Sequence, residues 1–321
     1  MKLGILGTGK IVQEFLPWLV EHTPFTVQAI CSTPRSAELA QSLCGQYGVP
    51  QHTTNFLELL QWVDVVYIAV PNLQHVRYAR VALEAGKHVI VEKPMAPTAA
   101  QTEELVNLAR HKKVFLFEAV TTQYLENYAK IRELLPRIGT VKLVQCNFSQ
   151  YSSRYDAFMN GQTPPVFDPA YCGGALMDLN IYNIYFVVGL FGDPKAVHYY
   201  PNRHANGIDT SGILILEYPN FVCQCTAAKD SSAHNSAQII GTEGSILIEP
   251  GSNNCQKLVV TRKGKEPYIS EISDTPWWFE VLGISNFLIV PQDAVKERRI
   301  RAMRSAVAVL EAARKDAHLD F

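Results

Sequence analysis

Excess charge of either sign, long apolar runs and paired cysteine motifs are all missing from this chain of 321 residues. Its 29 Lys and Arg balance 30 Asp and Glu, giving a formal net charge of −1 and a pI of about 6.8. Such a balance offers no electrostatic hold on nucleic acid or on an anionic membrane surface. No apolar stretch is expected to reach the roughly 18 residues a membrane span needs. The opening "MKLGILG" passes straight into a strand-like run, without the basic n-region, long apolar core and cleavage site of a signal peptide, so a cytoplasmic location is expected. The seven cysteines (Cys31, Cys44, Cys146, Cys172, Cys223, Cys225 and Cys255) are dispersed and form no C-x-x-C pair. Cys223 and Cys225 fall on one face of a strand, poor geometry for zinc, so no metal site and no disulfide framework is expected. Internal repeats and low-complexity tracts are absent too.

What is present is apolar material in two different grammars. Hydrophobic residues make up 47% and charged residues 18%, enough for a substantial core, and the length favours two domains. Residues 1–119 alternate continuous β-branched runs ("KLGILG", "TVQAICS", "VDVVYIAVP", "HVIVEK", "VFLFEAV") with helix-period segments. Unbroken runs are the mark of strands covered on both faces, and strand–helix alternation predicts a doubly wound parallel sheet of Rossmann type. Gly48 and Gly86 are expected to stop two of the helices, and Thr98 with Gln101 has capping-box spacing at the start of another. From residue 120 to 321 the pattern changes to hairpins, about Pro219-Asn220, Thr242-Glu243-Gly244 and Lys263-Gly264, which predict an α+β domain with an open-faced, mainly antiparallel sheet. Within it "GGALMDLNIYNIYFVVGLFG" reads as an inserted helix and "KERRIRAMRSAVAVLEAARKDAH" as a terminal amphipathic helix. Trp277-Trp278 is expected to cover the sheet or an interface.

The chemistry-bearing residues lie at the ends of these elements. In "GILGTGKIV", Gly7 and Gly9 occupy the first two positions of a G-x-G-x-x-G/A fingerprint and Val12 the third. The turn Gly7, Thr8, Gly9, Lys10, Ile11 follows a strand and opens a helix, where backbone N–H groups and the helix dipole receive a pyrophosphate. The second strand ends in "AICSTPRS", with no carboxylate before Glu38. Ser32, Thr33 and Arg35 suit a 2′-phosphate better than a free ribose diol, favouring NADP with NAD possible. An ordinary role for Arg35 on a solvated helix face stays open. In "HVIVEKPMAPT" an apolar strand ends in Glu92-Lys93-Pro94, and a lysine there is costly unless something needs it.

Taken in order, "GILGTGKI", "VYIAVPNLQH", "HVIVEKP", "FEAV" and "GGALMDLNIY" resemble the Gfo/Idh/MocA family of oxidoreductases over the first ~190 residues. The resemblance implies an active site between a nucleotide-binding domain and an open-sheet domain. It makes Lys93 a contact of substrate and nicotinamide ribose. It carries Pro71 and Asn72 over as cofactor contacts, aligns His75 with the family's PNxxH histidine and takes Glu92 to the cofactor side. Glu118 matches an EA pair packed near the ribose. Asp178 and Tyr182 match the family's acid–base motif, with tyrosine in place of the commoner histidine, as in the glucose–fructose oxidoreductase and dimeric dihydrodiol dehydrogenase branch. Asn180 stands where that motif has glycine.

Hydride transfer at an alcohol carbon needs a proton moved at the oxygen, and a phenol becomes usable when a cation such as Lys93 favours its ionised form. Asp178 would orient substrate hydroxyls or Lys93, and Arg154 is a candidate contact for an anionic or polyol substrate. The expectation is therefore an NAD(P)-dependent oxidoreductase acting on a sugar, polyol or cyclic diol. It needs no nucleic acid or membrane partner, and its open sheet is expected to be covered in a homodimer or higher homo-oligomer. A non-catalytic NADP(H)-binding regulator, or a glycosidase using transient hydride transfer, remains open as an alternative.

Overall fold

Apolar runs become strands here because both sides of them are covered. The computed structural model describes residues 1–274 and 276–321, and the side chains of Trp278 and Phe279 fall outside that description, so the expectation for Trp277-Trp278 lies in part outside the described residues. Residues Leu3–Leu6 and Val65–Ile68 are buried without a break, as strands between two helical layers require. They belong to β1 (Lys2–Leu6), β2 (Thr26–Cys31), β3 (Gln51–Thr53), β4 (Val65–Ile68), β5 (His88–Glu92) and β6 (Leu116–Ala119). All pairs are parallel, in the order β3-β2-β1-β4-β5-β6. The connections carry α1 (Lys10–His22), α2 (Ala37–Tyr47), α3 (Phe56–Trp62), α4 (His75–Glu84) and α5 (Ala99–Lys112).

Local signals end these helices where the sequence places them. Gly48 closes α2 at φ +67, and Gly86 stands just beyond α4 at φ +73, both left-handed positions that favour glycine. The Thr98 hydroxyl accepts the Gln101 N–H at 3.3 Å at the start of α5. Strand β3 escapes the pattern because its three residues, Gln-His-Thr, carry no apolar side chain to mark it.

The chain divides into two compact units. The first is Met1–Ala119 with Glu280–Lys296; the second is Val120–Phe279 with Glu297–Phe321. The return of residues 280–296 to the first unit has no signal in the hydropathy pattern. It is explained by packing: the Phe287 ring meets Phe115 and Phe117 edge-on at 5.3 and 5.4 Å, and Val281 and Ile284 line an apolar cavity with Phe15 and Tyr67.

The second unit holds α6 (Glu126–Leu134), β7 (Val141–Ser149), α7 (Tyr155–Met159), α8 (Ile181–Phe191), β8 (Ala196–Arg203), β9 (Asp209–Glu217), β10 (Val222–Ala228), β11 (Ser236–Gly241), β12 (Gly244–Glu249), β13 (Lys257–Arg262) and β14 (Lys265–Glu271). They are followed by α9 (Pro276–Ile289) and α10 (Asp293–Asp316). The sheet order is β14-β13-β12-β11-β7-β10-β9-β8, antiparallel throughout except between β7 and β10. The expected hairpins appear as β9–β10, β11–β12 and β13–β14. One face is core: Val144, Cys146, Leu214, Cys223, Cys225, Ile239 and Ile246 all have 3% exposure or less. The other face alternates out, with Ile213 40%, Val222 43% and Ile269 55% exposed.

One expectation is corrected. The helical run Pro169–Phe191 is long and apolar enough, with an 18-residue window of mean hydropathy 1.3, to pass as a membrane span by length and composition. Three polar interruptions, Asp178, Asn180 and Asn183, hide it in the sequence. Two thirds of that window (67%) is buried inside the protein, which is how a core helix behaves.

Candidate active site

Parallel strands in this order reverse direction of winding between β1 and β4, and their exits meet there. Gly7 donates its N–H to the Cys31 carbonyl at 2.8 Å and has φ +121, a conformation open to glycine. A Cβ at Gly7 would lie 2.2 Å from the Ala69 carbonyl oxygen, so the β1 exit runs directly against the β4 exit. Gly9 differs. It stands at the N-cap of α1 with no side-chain cap and no acid in the first turn, and a Cβ there would meet nothing within 4 Å. An open approach to uncapped N–H groups is what a pyrophosphate requires, so this turn fits a dinucleotide. Thr8 and Ile11 flank it half-buried, and Lys10 is exposed, 3.5 Å from Glu14.

At the end of β2, Thr33 and Arg35 are exposed, Arg35 within the short helical turn Pro34–Ser36. Ser32 is only 6% exposed and its hydroxyl donates to the Thr33 carbonyl at 3.1 Å, leaving the threonine and the guanidinium as the outward groups.

The EKP turn is held from three sides. Lys93 is half-buried and joined to Pro94 by a cis peptide bond. The Glu118 carboxylate, itself buried, accepts the Met95 N–H at 2.9 Å. The His75 ring lies between two backbone carbonyls, Nδ1 at 2.8 Å from Pro94 O and Nε2 at 2.7 Å from Val70 O. Glu92 accepts the hydroxyl proton of buried Tyr67. His75 has 0% exposure and clamps the Val70 and Pro94 turns together from within. Burial pushes its pKa below the ordinary histidine value against the pull of the two carbonyls. Pro71 is exposed and Asn72 half-buried just beyond β4.

In the second unit, a π-helical turn, Leu176–Asn180, leads into α8. Such turns are rare and concentrate at functional sites. Its cause is visible in Asn180, which donates to the Cys225 carbonyl at 3.1 Å while its own oxygen accepts from Asn183 at 2.9 Å. Asn183 in turn donates to Thr226 O at 3.0 Å and accepts from Ser252 at 2.6 Å. This ladder bolts the helix start to β10, which glycine could not do. Across 172–188 every residue is buried except Asp178 and Tyr182. The Tyr182 ring packs edge-on to Phe148 at 5.6 Å, holding its direction. Arg154 is exposed at the N-cap of α7.

Two residues of this site escaped sequence reasoning. Asp178 forms an ion pair with Lys229, whose side chain is only 3% exposed and lies 5.3 Å over the Phe167 ring. Lys229 ends the apolar strand β10 as Lys93 ends β5, and the same question about a costly lysine would have found it. Asp209, at the start of β9, accepts the Leu176 N–H and the Tyr199 hydroxyl, both at 2.7 Å. Burial raises its pKa to about 6, against those hydrogen bonds and the nearby charge of Lys229.

The order of the first sheet, the glycine turn at its switch point and the mixed second sheet define a dinucleotide-dependent oxidoreductase architecture. The comparisons say which. Residues 1–120 match the oxidoreductase family with an NAD-binding Rossmann fold, and residues 128–247 match the Gfo/Idh/MocA C-terminal domain. The chain belongs to the Gfo/Idh/MocA family of NAD(P)-binding oxidoreductases. It is 36% identical over 251 residues to scyllo-inositol 2-dehydrogenase (NADP(+)) IolU of Bacillus subtilis (strain 168), covering 78% of this chain and 76% of that one. It is 33% identical over 269 residues to the uncharacterized oxidoreductase YgjR of Escherichia coli (strain K12), covering 83% and 81%. The crystal structure of KijD10, a 3-ketoreductase from Actinomadura kijaniata in complex with NADP and TDP-benzene, shares its fold with TM-score 0.84, 21% identity and coverage of 98% and 97%.

Proposed function

We propose that this protein is an NADP-dependent oxidoreductase that moves hydride between nicotinamide and a hydroxyl-bearing carbon of a sugar, polyol or cyclic diol. Lys93 and Tyr182 manage the proton, and Asp178 holds a substrate hydroxyl. The observation that carries this reading is the exposure pattern of the helix that includes α8, where Asp178 and Tyr182 alone break the buried surface between residues 172 and 188. A core helix that spends two openings on a carboxylate and a phenol at i, i+4 spacing serves chemistry rather than packing.

The nicotinamide, when bound, supplies or takes the hydride. The chain's own groups do the rest. Gly7 through Ile11 receive the pyrophosphate, Gly9 by offering no side chain and α1 by its N–H groups. Thr33 and Arg35 receive a 2′-phosphate, Arg35 through a forked pair of N–H donors. Pro71 and Asn72 line the nicotinamide side. The Tyr182 hydroxyl gives or takes the proton at the substrate oxygen, and the Lys93 ammonium favours its ionised form. His75 and Glu118 keep Lys93 on a rigid turn.

The relative IolU, by its name an NADP(+)-dependent inositol dehydrogenase, supports both the cofactor and a polyhydroxyl substrate. The half-exposed sheet face around Ile213, Val222 and Ile269 is the surface we assign to a homo-oligomer. Seven buried thiols suit a cytoplasmic protein. The test is a screen of NADP+ reduction over inositols, sugars and trans-cyclic diols. Turnover of a polyhydroxyl compound is expected; tight NADPH binding without turnover of any would contradict the enzyme reading and favour a regulator.

A further inference from the structure

The helix that carries Tyr182 starts without a cap of its own. Gly173 and Gly174 precede Ala175 and bring no side chain, yet the first N–H groups of a helix need acceptors from outside it. The acceptor for Leu176 comes from β9, 33 residues away: Oδ2 of Asp209 takes its N–H at 2.7 Å and the Tyr199 hydroxyl at 2.7 Å. Two glycines make room for this pair. A Cβ at Gly174, which stands at φ +97, would collide with Asp209 Oδ1, and one at Gly212 would collide with the Tyr199 hydroxyl. Asp209 has 0% exposure and Tyr199 3%, and a buried carboxylate is costly where an apolar residue would pack. Around it stand Tyr199 from β8, Lys229 at the end of β10, and Cys172 with Arg314 of α10. A cap from the helix's own loop would move with the helix; one from β9 ties its first turn to the sheet.

We propose that Asp209 is a positioning residue that fixes the first turn of this helix through Leu176 and so holds the Tyr182 hydroxyl in place for proton transfer. This rests on the reading of Tyr182 as the group that handles the proton. The link between the two is packing. The Tyr182 ring lies against a cluster of Ala175, Leu179, Phe148 and Ala227, and the first two belong to the turn around Leu176. Ala175, Leu179 and Tyr182 are spaced four and three residues apart, which places them on one face. A first turn released from β9 would slide under the ring, while Phe148 and Ala227, on β7 and β10, would stay. Proton transfer is sensitive to such a shift, because about 1 Å of misplacement can cost about a hundredfold in rate.

The test measures kcat, KM and the pH profile of kcat for the best substrate found among inositols, sugars and trans-cyclic diols, in the native protein, Asp209→Ala, Asp209→Asn and Tyr182→Phe. Asp209→Ala removes the acceptor and should lower kcat about a hundredfold, with KM for NADP+ within about twofold of native. The limb of the profile that Tyr182→Phe abolishes should move towards the ordinary phenol range, as the hydroxyl leaves the groups that favour its ionised form. Asp209→Asn keeps an acceptor of the same shape, and should hold kcat within about threefold and leave the limb in place. Native kcat and an unmoved limb in Asp209→Ala, with only a lower Tm, would reduce Asp209 to a structural core acid. A loss beyond threefold in Asp209→Asn would show that charge matters rather than the bond to Leu176. Either result overturns the proposal. If Asp209→Ala does not fold, Asp209→Ser, where a water can fill the vacated polar space, is read by the same criteria. If that variant fails too, Asp209→Asn decides alone, a loss within threefold supporting the role and a larger one overturning it. Full activity in Tyr182→Phe would remove the proposed part of Tyr182 and this role with it, whereas an impaired Tyr182→Phe beside an unaffected Asp209→Ala sinks this role alone.

Discussion

Each of the two units builds its own candidate residues from different materials. In the first, apart from Thr33, Arg35 and Lys93, the groups are mainly backbone: a glycine turn, uncapped N–H donors, and carbonyls of Val70 and Pro94 gathered by one histidine. Each motif is continuous in the chain and carries its own local structure. In the second, the groups are side chains brought from afar. Asp178 meets Lys229 across 51 residues, Leu176 meets Asp209 across 33, and Asn183 meets Ser252 across 69. A backbone site tolerates almost any side chain except where one must be absent. A side-chain site depends on named partners that the local sequence does not reveal.

The comparison can be broken first where one residue does both jobs. Lys93 sits on a backbone-held turn, and in the proposed function it acts through its ammonium. Lys93→Ala should lower kcat about a thousandfold with little change in thermal stability, measured by steady-state kinetics and melting; full activity would remove Lys93 from the chemistry. The glycine pair sharpens the contrast next. Gly7→Ala forces a Cβ to 2.2 Å from Ala69 O at φ +121 and should cost on the order of 3 kcal/mol of stability in urea. Gly9→Ala meets nothing within 4 Å, so the fold should melt as the native protein does while NADPH binding by calorimetry weakens about tenfold or more. A Gly9→Ala variant with native affinity would place the pyrophosphate elsewhere.

Smaller effects probe the edges. Arg35→Ala should weaken NADPH about tenfold and NADH hardly at all; equal effects would leave Arg35 on a solvated helix face. Asp209 tests the second unit by pH. Its carboxyl, raised to about 6 from 3.8, binds a proton more tightly folded than unfolded, so native stability falls as pH rises between those values. The penalty at neutral pH is about 3 kcal/mol at most. Asp209→Asn removes the titration and keeps an acceptor for the Leu176 N–H. Its urea midpoint should therefore gain on the native protein's as pH goes from about 4 to 7, and a difference independent of pH would contradict the buried charge.

How much was legible follows the same division. The glycine turn, the EKP turn, the helix stops at Gly48 and Gly86 and the hairpins all declare themselves locally, since each rests on a conformational preference or an apolar period. Strand β3 does not, because strand pairing alone makes it a strand. Nor does the return of residues 280–296, which is settled by which sheet face accepts Phe287. The position of Asp178 and Tyr182 was readable from helical spacing, but the reason that spacing holds was not. Asn180, which departs from the family's glycine, pins a π-helical turn to β10 through hydrogen bonds that no local pattern predicts. The burial of His75 was not legible either, because it depends on a contact with Pro94, 19 residues away.

Lys93 and Tyr182 stand in different units, and the central claim is that both serve one proton transfer. The direct test is kcat/KM on one substrate for Lys93→Ala, Tyr182→Phe and the double variant. Groups acting as one device predict a double variant no worse than about threefold below the poorer single variant. Losses that multiply would show two independent contributions and contradict the account.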